Sequence, residues 1–479
     1  MPLIILIPAV ACWLVLARGS VRQALLDVYL PAVLLLPQYY VLRLHHLPPL
    51  TFSDTAILPL GLALVLTEMK HWRWSWMDLW VFSFAVCTGL SEAFSTQLAN
   101  GQWLHLFSAR FTTSHTLNVN LADGGLMFFE RLLTVVLPYV AGKLLIEQGP
   151  GGGDLMRRKL VSRIVKLLAV VAAISVYDFL HGGSIWQTVG KHIFTHQYVP
   201  WIPQMRWGFG RIAGPYGHAI LAGMIFLTGL VYCLWLRKVD PGWGTRRVLA
   251  GFPMTVRGML LTAVVAGLLM TQSRGPWLGV ILALMFTLLT RVFPVGKAAI
   301  VFLLFLTVFG VVGYKFGMQY TDRPLLQAKN TEQRNAIYRR DLLVNYIPLV
   351  MQRKAFGWGI TTYPVLSGQV SIDNEYLLLA ITQGFVGMGV FLAILAASAW
   401  RLLRMIARPL RQEDRLLVFA HLAVVIGLVT TLATVYMGEQ VVMMFFLCTG
   451  WVQGMNPAPV TVESTHTFAS QVGFRRVLV

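Results

Sequence analysis

Long apolar runs separated by short polar stretches dominate the pattern of the chain. A helix needs about 17–25 apolar residues to cross a bilayer, and runs near that length recur throughout. They predict thirteen spans: 2–17, 24–43, 53–69, 75–91, 124–145, 160–181, 215–236, 257–271, 276–293, 297–314, 374–398, 416–436 and 438–455. The pattern therefore predicts an all-α, polytopic membrane protein with about 12–13 transmembrane helices.

The composition points the same way. Of 479 residues, 56% are hydrophobic and only 12% are charged, whereas a globular protein carries about 25% charged residues. This excludes a disordered chain, a disulfide scaffold and an ordinary cytosolic enzyme. The four cysteines are isolated within apolar runs, so the sequence predicts neither a zinc site nor a disulfide framework. They are Cys12, Cys87, Cys233 and Cys448.

Basic residues occupy alternate loops. One set of loops holds Arg18 and Arg22; Lys70 and Arg73; Arg157, Arg158 and Lys159; Arg237, Lys238, Arg246 and Arg247; and Arg401, Arg404, Arg408, Arg411 and Arg415. The positive-inside rule predicts that this face is cytoplasmic, with the N-terminus outside and the C-terminal tail inside. Because the rule accounts for most of the net charge of +19, we expect no nucleic-acid partner.

The large external segment 315–373 divides the chain. We predict transmembrane helices 1–10 in 1–314, this segment, helices 11–13 in 374–455 and a cytoplasmic tail, 456–479. Apolar residues from 332 to 351 recur at i, i+3, i+4 and i+7, as on one face of a helix. They are Leu343, Tyr346, Ile347 and Val350. We expect an amphipathic helix lying over the bundle, which Pro348 kinks or ends; a solvated loop packing on its own protein is the alternative.

Arginines beside the external ends of spans are candidate anion ligands. In TQSRGPW at 271–277, one span ends, Arg274 appears and the next span begins. RWGFGRIAGPYGH at 206–218 adds Arg211 and, just inside the next span, His218. A guanidinium group keeps its charge and binds phosphate bidentately. The alternatives are a snorkelling arginine for Arg274 and a hydrogen-bonded core histidine for His218.

The sequence SIDNEYL at 371–377 lies where the external segment re-enters the membrane. Carboxylates are expensive in lipid, so Asp373 and Glu375 are candidate catalytic groups. The alternative is N-capping by Asp373, with Glu375 in the first helical turn. The two roles are compatible.

Together these motifs resemble the O-antigen ligase / O-antigen polymerase superfamily of bacterial membrane glycosyltransferases. Residues 271–277 resemble its SRG signature, and 211–217 resemble the arginine-plus-glycine/proline motif that precedes it. TEQR at 331–334, Tyr338, FGWG at 356–359 and Tyr363 resemble its external segment, which typically has an arginine, an aromatic residue and a G-x-G turn. DNEYL at 373–377 matches the re-entry motif His-Asn-x-Tyr-Leu, except that Asp373 replaces the histidine proposed as catalytic in ligases. The resemblance covers about residues 200–400.

The resemblance implies transfer of a glycan from undecaprenyl diphosphate to an acceptor hydroxyl, without metal or cofactor, at the periplasmic face of the inner membrane. The expected partners are the lipid-linked oligosaccharide, an acceptor glycan or lipid, membrane lipids and a chain-length regulator. The candidate diphosphate ligands are Arg211 and Arg274, then Arg334 and Arg339. The candidate base is Asp373, with Glu375 second; the supporting residues are His218, Asn374 and Tyr376.

The acceptor separates two members of this superfamily. Absence of the ligase histidine favours a polymerase of O-antigen or exopolysaccharide over a ligase that attaches the glycan to lipid A-core. A transporter or flippase of lipid-linked sugars is an alternative of another class. Such proteins often contain internal repeats, and the sequence shows none. A dolichol-type glycosyltransferase is a further alternative, but loop 44–52 lacks the acidic residues expected there.

Overall fold

The computed structural model describes residues 2–44, 47–95, 103–106, 109–112, 121–147, 153–193, 204–249, 251, 253–366, 368–369 and 371–456. The predicted tail 456–479 lies, except for its first residue, outside this part. The helices are α1 (Ile7–Arg18), α2 (Val21–Ala24), α3 (Leu30–Leu35), α4 (Phe52–Thr67), α5 (Trp76–Ala93), α6 (Leu121–Arg131), α7 (Leu137–Leu145), α8 (Gly153–His181), α9 (Ile185–Ile193), α10 (Ala219–Val239), α11 (Val256–Met270), α12 (Arg274–Val292), α13 (Val295–Thr321), α14 (Thr331–Gln352), α15 (Glu375–Ile406), α16 (Gln412–Leu432) and α17 (Glu439–Gly454).

Short turns and strands connect some of these helices. π-helical turns Leu25–Tyr29 and Leu132–Val136 join α2 to α3 and α6 to α7, and Pro2–Leu6 precedes α1 as a 3-10 helix. Two antiparallel pairs of strands occur: β1 (Trp103–Leu106) with β2 (Ala109–Thr112), and β3 (Met205–Arg206) with β4 (Phe209–Gly210). Seven helical segments of the described chain are long and apolar enough to cross a membrane. This confirms the predicted all-α, polytopic membrane fold.

Several helix ends differ from the prediction: α8 begins at Gly153 instead of 160, and α15 ends at Ile406 instead of 398. The predicted span 24–43 stops being helical at Leu35, because Leu36 is extended and Pro37 follows it; the residue before a proline avoids helical dihedrals. At the other boundary, α13 continues to Thr321, beyond the predicted end at 314. The chain between α13 and α15 therefore starts later than predicted.

Helix α14 forms as expected, but its buried face is not the predicted one. Tyr346 and Val350 are buried, whereas Leu343 and Ile347 are 43% and 50% exposed, so the assignment of the latter two to the packed face was wrong. Leu342 and Leu349 take their places and pack against the first turns of α15. Pro348 does not end the helix, since α14 continues to Gln352.

The loops that the charge pattern groups together lie at one end of the bundle, here called the proximal end. Arg22 Nε donates to Leu145 O at 3.1 Å, Lys143 Nζ to Arg73 O at 2.7 Å and Arg401 Nε to Val452 O at 3.0 Å. The opposite, distal end carries residues 204–218, the turn 271–273 and the start of α15. Helix α8 connects the two ends: it begins beside the proximal loops, and its Phe179 ring stacks on Phe209 of β4 at 4.7 Å.

Small residues allow close helix packing in the core. A Cβ atom on Gly450 of α17 would lie 1.9 Å from Tyr139 O of α7. Close backbone approach of this kind stabilises helix pairs in a membrane, where burial of apolar surface against lipid gains little. The α7–α17 pair therefore positions the proximal loops, which both helices adjoin.

Candidate functional site

The turn between α11 and α12 forms the floor of the distal site. Thr271, Gln272 and Ser273 are all buried, and Gln272 adopts a left-handed φ of 48°. The last carbonyl groups of α11 have no N–H donors within the helix and carry partial negative charge. They attract cationic side chains, which explains why arginines gather here.

Arg211 and Arg206 bind this turn. The hairpin β3–β4 turns at Trp207 and Gly208 and delivers Arg211 directly afterwards, with Arg211 N donating to Gln204 O at 2.8 Å. Arg211 Nε donates to Thr271 O at 3.1 Å and Nη2 to Ser273 Oγ at 2.9 Å. Arg206 Nη1 donates to the carbonyl oxygen of Gln272. Both guanidinium groups are thereby oriented by neutral oxygens.

Arg274 and Arg339 complete a cationic cluster, which we call the arginine group: Arg206, Arg211, Arg274 and Arg339. Burial, and then the positive charges of Arg206 and Arg339, lower the pKa of Arg211 to about 10. Burial and then Arg274 likewise lower the pKa of Arg206. Arg339 Nη2 donates to Thr434 O at 3.3 Å. The sequence indicated three of these four positions and missed Arg206 as a ligand.

A single carboxylate is paired with the arginine group in the described part of the chain. Glu332, in the first turn of α14, forms an ion pair with Arg274, and both side chains are about half exposed. Arg334, predicted as a diphosphate ligand, is exposed on the same helix, and no contact among the described residues joins it to the group. Four guanidinium groups beside one carboxylate leave a net positive site, which favours an anion.

Asp373 lies in the re-entry loop, within electrostatic reach of His218. Its Oδ1 accepts a hydrogen bond from Ser371 Oγ at 2.7 Å, and Tyr338 OH of α14 donates to Ser371 O at 2.6 Å. The negative charge of Asp373 opposes the lowering of the His218 pKa, whereas Arg211 and Arg339 contribute to it. Asp373 and two of the arginines thus each lie within electrostatic reach of His218.

The capping role expected for Asp373 is wrong. Asn374 is the N-cap of α15, because its Oδ1 accepts a hydrogen bond from Leu377 N at 3.1 Å. An asparagine is as good a cap as an aspartate. Asp373 is therefore not needed to satisfy the helix end, and its second carboxylate oxygen is available for other chemistry.

His218 is the N-cap of α10. Ile220 N donates to His218 Nδ1 at 3.2 Å. Burial first, and then Arg211, lower the pKa of His218 to about 4, so the ring is neutral near pH 7. Because Nδ1 accepts a hydrogen bond, the neutral ring carries its proton on Nε2. His218 can therefore donate a hydrogen bond from Nε2 but is not set up there as a base.

Glu375 and Tyr376 connect α15 to neighbouring elements. Met437 N donates to Glu375 Oε2 at 2.6 Å, and Tyr376 OH donates to Val429 O at 2.9 Å. Glu375 also lines a cavity of about 230 Å³ together with Arg131 and Gln383. The Met437 contact holds the 433–438 turn, which supplies Thr434 O to Arg339.

Helix α15 is broken just below the site, at Gly384, and the chain itself fills the break. Trp358 N donates to Ile381 O at 2.8 Å, Gly359 N to Thr382 O at 2.9 Å and Phe385 N to Lys354 O at 2.7 Å. Gly384 adopts a left-handed φ of 67°, which favours glycine. The segment 354–359 is thereby fixed against α15, next to the re-entry loop.

Glu92 of α5 anchors the residues that directly follow this segment, and its functional position was not predicted from the sequence. Its Oε2 accepts hydrogen bonds from Ile360 N at 2.6 Å and Thr361 N at 3.3 Å. Glu92 is fully buried. An acidic residue at the end of an apolar run was the available signal. No group of three or more His, Cys, Asp or Glu residues within the described ranges could hold a metal ion.

The geometry defines a multi-pass membrane protein with a cationic site at one end of its helices. Residues 258–392 match the family model described as O-antigen ligase. The match confirms the resemblance to the O-antigen ligase / O-antigen polymerase superfamily. It supports an enzyme with an O-antigen ligase or polymerase type of function, acting on a lipid-linked glycan and an acceptor. No curated protein matches the chain. The matched region contains Arg274, Arg339 and Asp373, whereas Arg211 and His218 precede it.

Proposed function

We propose that the protein transfers a glycan from undecaprenyl diphosphate to an acceptor hydroxyl at the periplasmic face of the inner membrane. The observation that carries the proposal is the arginine group, whose four guanidinium groups adjoin one paired carboxylate. Such a site suits a diphosphate, because its charge demands several cations and its oxygens accept forked hydrogen bonds.

The arginines act on the leaving group. In the transfer, the bond between the anomeric carbon and the diphosphate oxygen breaks, and its electron pair stays on the diphosphate. The acceptor oxygen forms the new bond to the anomeric carbon. Arg211, held by Thr271 O and Ser273 Oγ, is preorganised to stabilise the developing charge, and preorganised charges of this kind are among the largest contributions to catalysis. Fixed cations thus take the role that a divalent metal has in many sugar-nucleotide enzymes.

Asp373 is the proposed base. Ser371 Oγ holds one of its oxygens at 2.7 Å, which leaves the other to accept the proton of the acceptor hydroxyl. His218 Nε2–H is a candidate donor to a substrate oxygen. Glu375 is the second candidate base. Its hydrogen bond from Met437 N also holds the 433–438 turn against α15.

We propose a polymerase, whose acceptor is another lipid-linked repeat unit of O-antigen or exopolysaccharide. The supporting observation is Asp373 itself, at the position where ligases carry histidine. A ligase acting on lipid A-core is the alternative. Loss of a polymerase leaves single repeat units, whereas loss of a ligase leaves long chains on the lipid carrier, so the accumulating product distinguishes the two.

Substitution of Asp373 tests the mechanism. In a strain that lacks its own copy of the gene, Asp373→Asn should abolish long-chain polymer while single lipid-linked repeat units accumulate, because the amide cannot accept the proton. Asp373→His should retain activity, and Asp322→Asn, a change at an exposed carboxylate of the same segment, is the matched control. Normal polymer in Asp373→Asn would remove Asp373 from the mechanism and leave Glu375 as the candidate base.

Cysteine labelling tests the proposed face. Leu326 is 99% exposed at the distal end, and Arg246 is exposed at the proximal end. The four natural cysteines are buried and free, so they contribute little background. An impermeant thiol reagent should label Leu326→Cys in intact spheroplasts and Arg246→Cys only after lysis. The reverse result would contradict the orientation and the mechanism together.

A further inference from the structure

An open pocket of about 880 Å³ lies at the proximal end, opposite the arginine group. The start of α2, the first turns of α8 and the chain that follows α10 enclose it. Five cationic side chains line the pocket: Arg22, Arg158, Lys159, Arg163 and Lys166. Its two acidic side chains are Asp27 and Asp240. The pocket therefore carries an excess of positive charge.

Part of this charge is already neutralised. Arg163 forms an ion pair with Asp27, and Arg158 Nη2 lies 2.9 Å from Glu413 Oε2. Lys159 and Lys166 form neither an ion pair nor a side-chain hydrogen bond with any residue that the structure describes. Two ammonium groups thus remain available to an anion from outside the chain.

The two lysines share one face of α8. Positions 159, 163 and 166 are spaced i, i+4 and i+7, which places their side chains in one stripe along two helical turns. Helix α8 has 29 residues and is about 43 Å long, whereas the hydrocarbon core is about 30 Å thick. With the apolar part of α8 in the core, its first turns extend into the headgroup layer.

The remaining lining suits a lipid more than a free ion. Leu26, Leu155 and Met156 add apolar surface beside the cations. Trp243 closes one side and donates from Nε1 to Ser162 Oγ at 3.0 Å. Tryptophan concentrates at membrane–water interfaces, where its apolar ring and polar N–H are both satisfied. The pocket thus offers cations to a phosphate and apolar groups to the chains that follow it.

We propose that this pocket binds the headgroup of an anionic phospholipid, with Lys159 and Lys166 as ligands of its phosphate. Basic pockets between transmembrane helices bind such headgroups on the cytoplasmic side of membranes. The bound lipid would connect α2, α8 and the α10–α11 loop at the end of the bundle away from the chemistry. The inference is independent of the proposed glycan transfer.

Thermal unfolding of the purified full-length protein in detergent tests the proposal. Cardiolipin should raise the Tm of the wild type by about 2–4 °C, and phosphatidylcholine or inorganic phosphate should not. The double variant Lys159→Gln/Lys166→Gln should lose this rise. The matched control, Arg246→Gln/Arg247→Gln, removes two exposed charges from the same face outside the pocket and should keep it.

Three results would overturn the proposal. A rise with inorganic phosphate alone would assign the pocket to a free anion, and an equal loss in both double variants would reduce the effect to general surface charge. A second measurement does not depend on variants. Native mass spectrometry of the wild type with equal amounts of cardiolipin and phosphatidylcholine should show preferential retention of cardiolipin, and equal retention of the two lipids is the third contrary result.

Discussion

Two arginines at opposite ends of the bundle are held in opposite ways. At the proximal end, Arg157 is 6% exposed and contacts three carboxylates. It pairs with Glu147, lies 2.7 Å from Asp414 Oδ1 and lies 3.0 Å from Asp154 Oδ1. At the distal end, Arg211 donates, among the residues that the structure describes, only to neutral oxygens: those of Thr271, Ser273 and Gln204.

The partners of the two arginines distinguish a structural role, in which the charge is paired within the protein, from a role in binding a ligand. A buried charge that is paired within the protein adds little by its mutual attraction, but removing one partner is costly. Lys143 follows this proximal pattern, with Nζ 2.6 Å from Asp78 Oδ1. Of the four distal arginines, only Arg274 is paired with a carboxylate among the described residues, so positive charge at that end is left over for an anion.

The largest expected effect is on activity. Arg211→Lys and Arg274→Lys should each lower polymer formation about 100-fold or more, because lysine keeps the charge but loses the fork that binds phosphate bidentately. The amount of protein in the membrane should stay normal. Quantification of long-chain polymer in the complemented strain measures the effect.

Arg323→Lys is the matched control, since Arg323 is exposed in the segment between α13 and α14. It should leave polymer formation unchanged. Full activity in Arg274→Lys would return Arg274 to the role of a snorkelling interfacial arginine, and full activity in Arg211→Lys would remove the central member of the arginine group.

The next effect is on stability. Arg157→Gln should destabilise the protein by about 3–5 kcal/mol, because it leaves the buried Glu147 without a cation and Asp414 with Arg411 alone. Glu147→Gln in the same chain should restore part of that loss. Thermal unfolding of the purified protein measures both. Arg211→Gln should cause a much smaller change, and an equal loss of stability at the two sites would contradict the distinction between them.

Most of the transmembrane helices were predictable from the sequence, because a helix in lipid must be apolar along its whole length. Apolar length identifies a span, and the alternation of basic loops separates the two ends. Arg274 could be selected because a charge between two apolar runs is exceptional. Arg206 could not, since its partner, Gln272 O, is a backbone atom 66 residues away that leaves no pattern in the sequence.

The re-entry loop shows where local rules stop. Asp373 and Asn374 are equally good N-caps, so the sequence alone does not show which of them caps α15. In the structure, Asp373 accepts a hydrogen bond from Ser371 Oγ, and Ser371 is held by Tyr338 OH. Asn374 caps the helix instead. The broken helix was missed for a similar reason. In the sequence, Gly384 looks like any other glycine in a transmembrane span. The backbone groups that the break exposes are paired by the segment 354–359, which no local pattern predicts.

The smallest expected effect concerns His218 and pH. Its pKa of about 4 in the folded protein lies below the usual value of about 6.5. Between these values the unfolded chain binds a proton that the folded protein does not, so stability falls as pH falls below about 6.5. The cost should reach about 1 kcal/mol near pH 5.5. Burial is the main cause of the lowered pKa, Arg211 and Arg339 add to it, and Asp373 opposes it.

The variant His218→Gln isolates this contribution. Its Tm should fall less than that of the wild type when the pH is lowered from neutral to about 5.5, because glutamine has no proton to gain. Arg211→Gln should also reduce the pH dependence, since it removes a charge that opposes protonation of His218. Identical pH dependence in the wild type and His218→Gln would mean that folding does not lower the pKa of His218, and would remove the argument that its ring stays a neutral Nε2–H donor beside the arginine group as the pH falls below about 6.5.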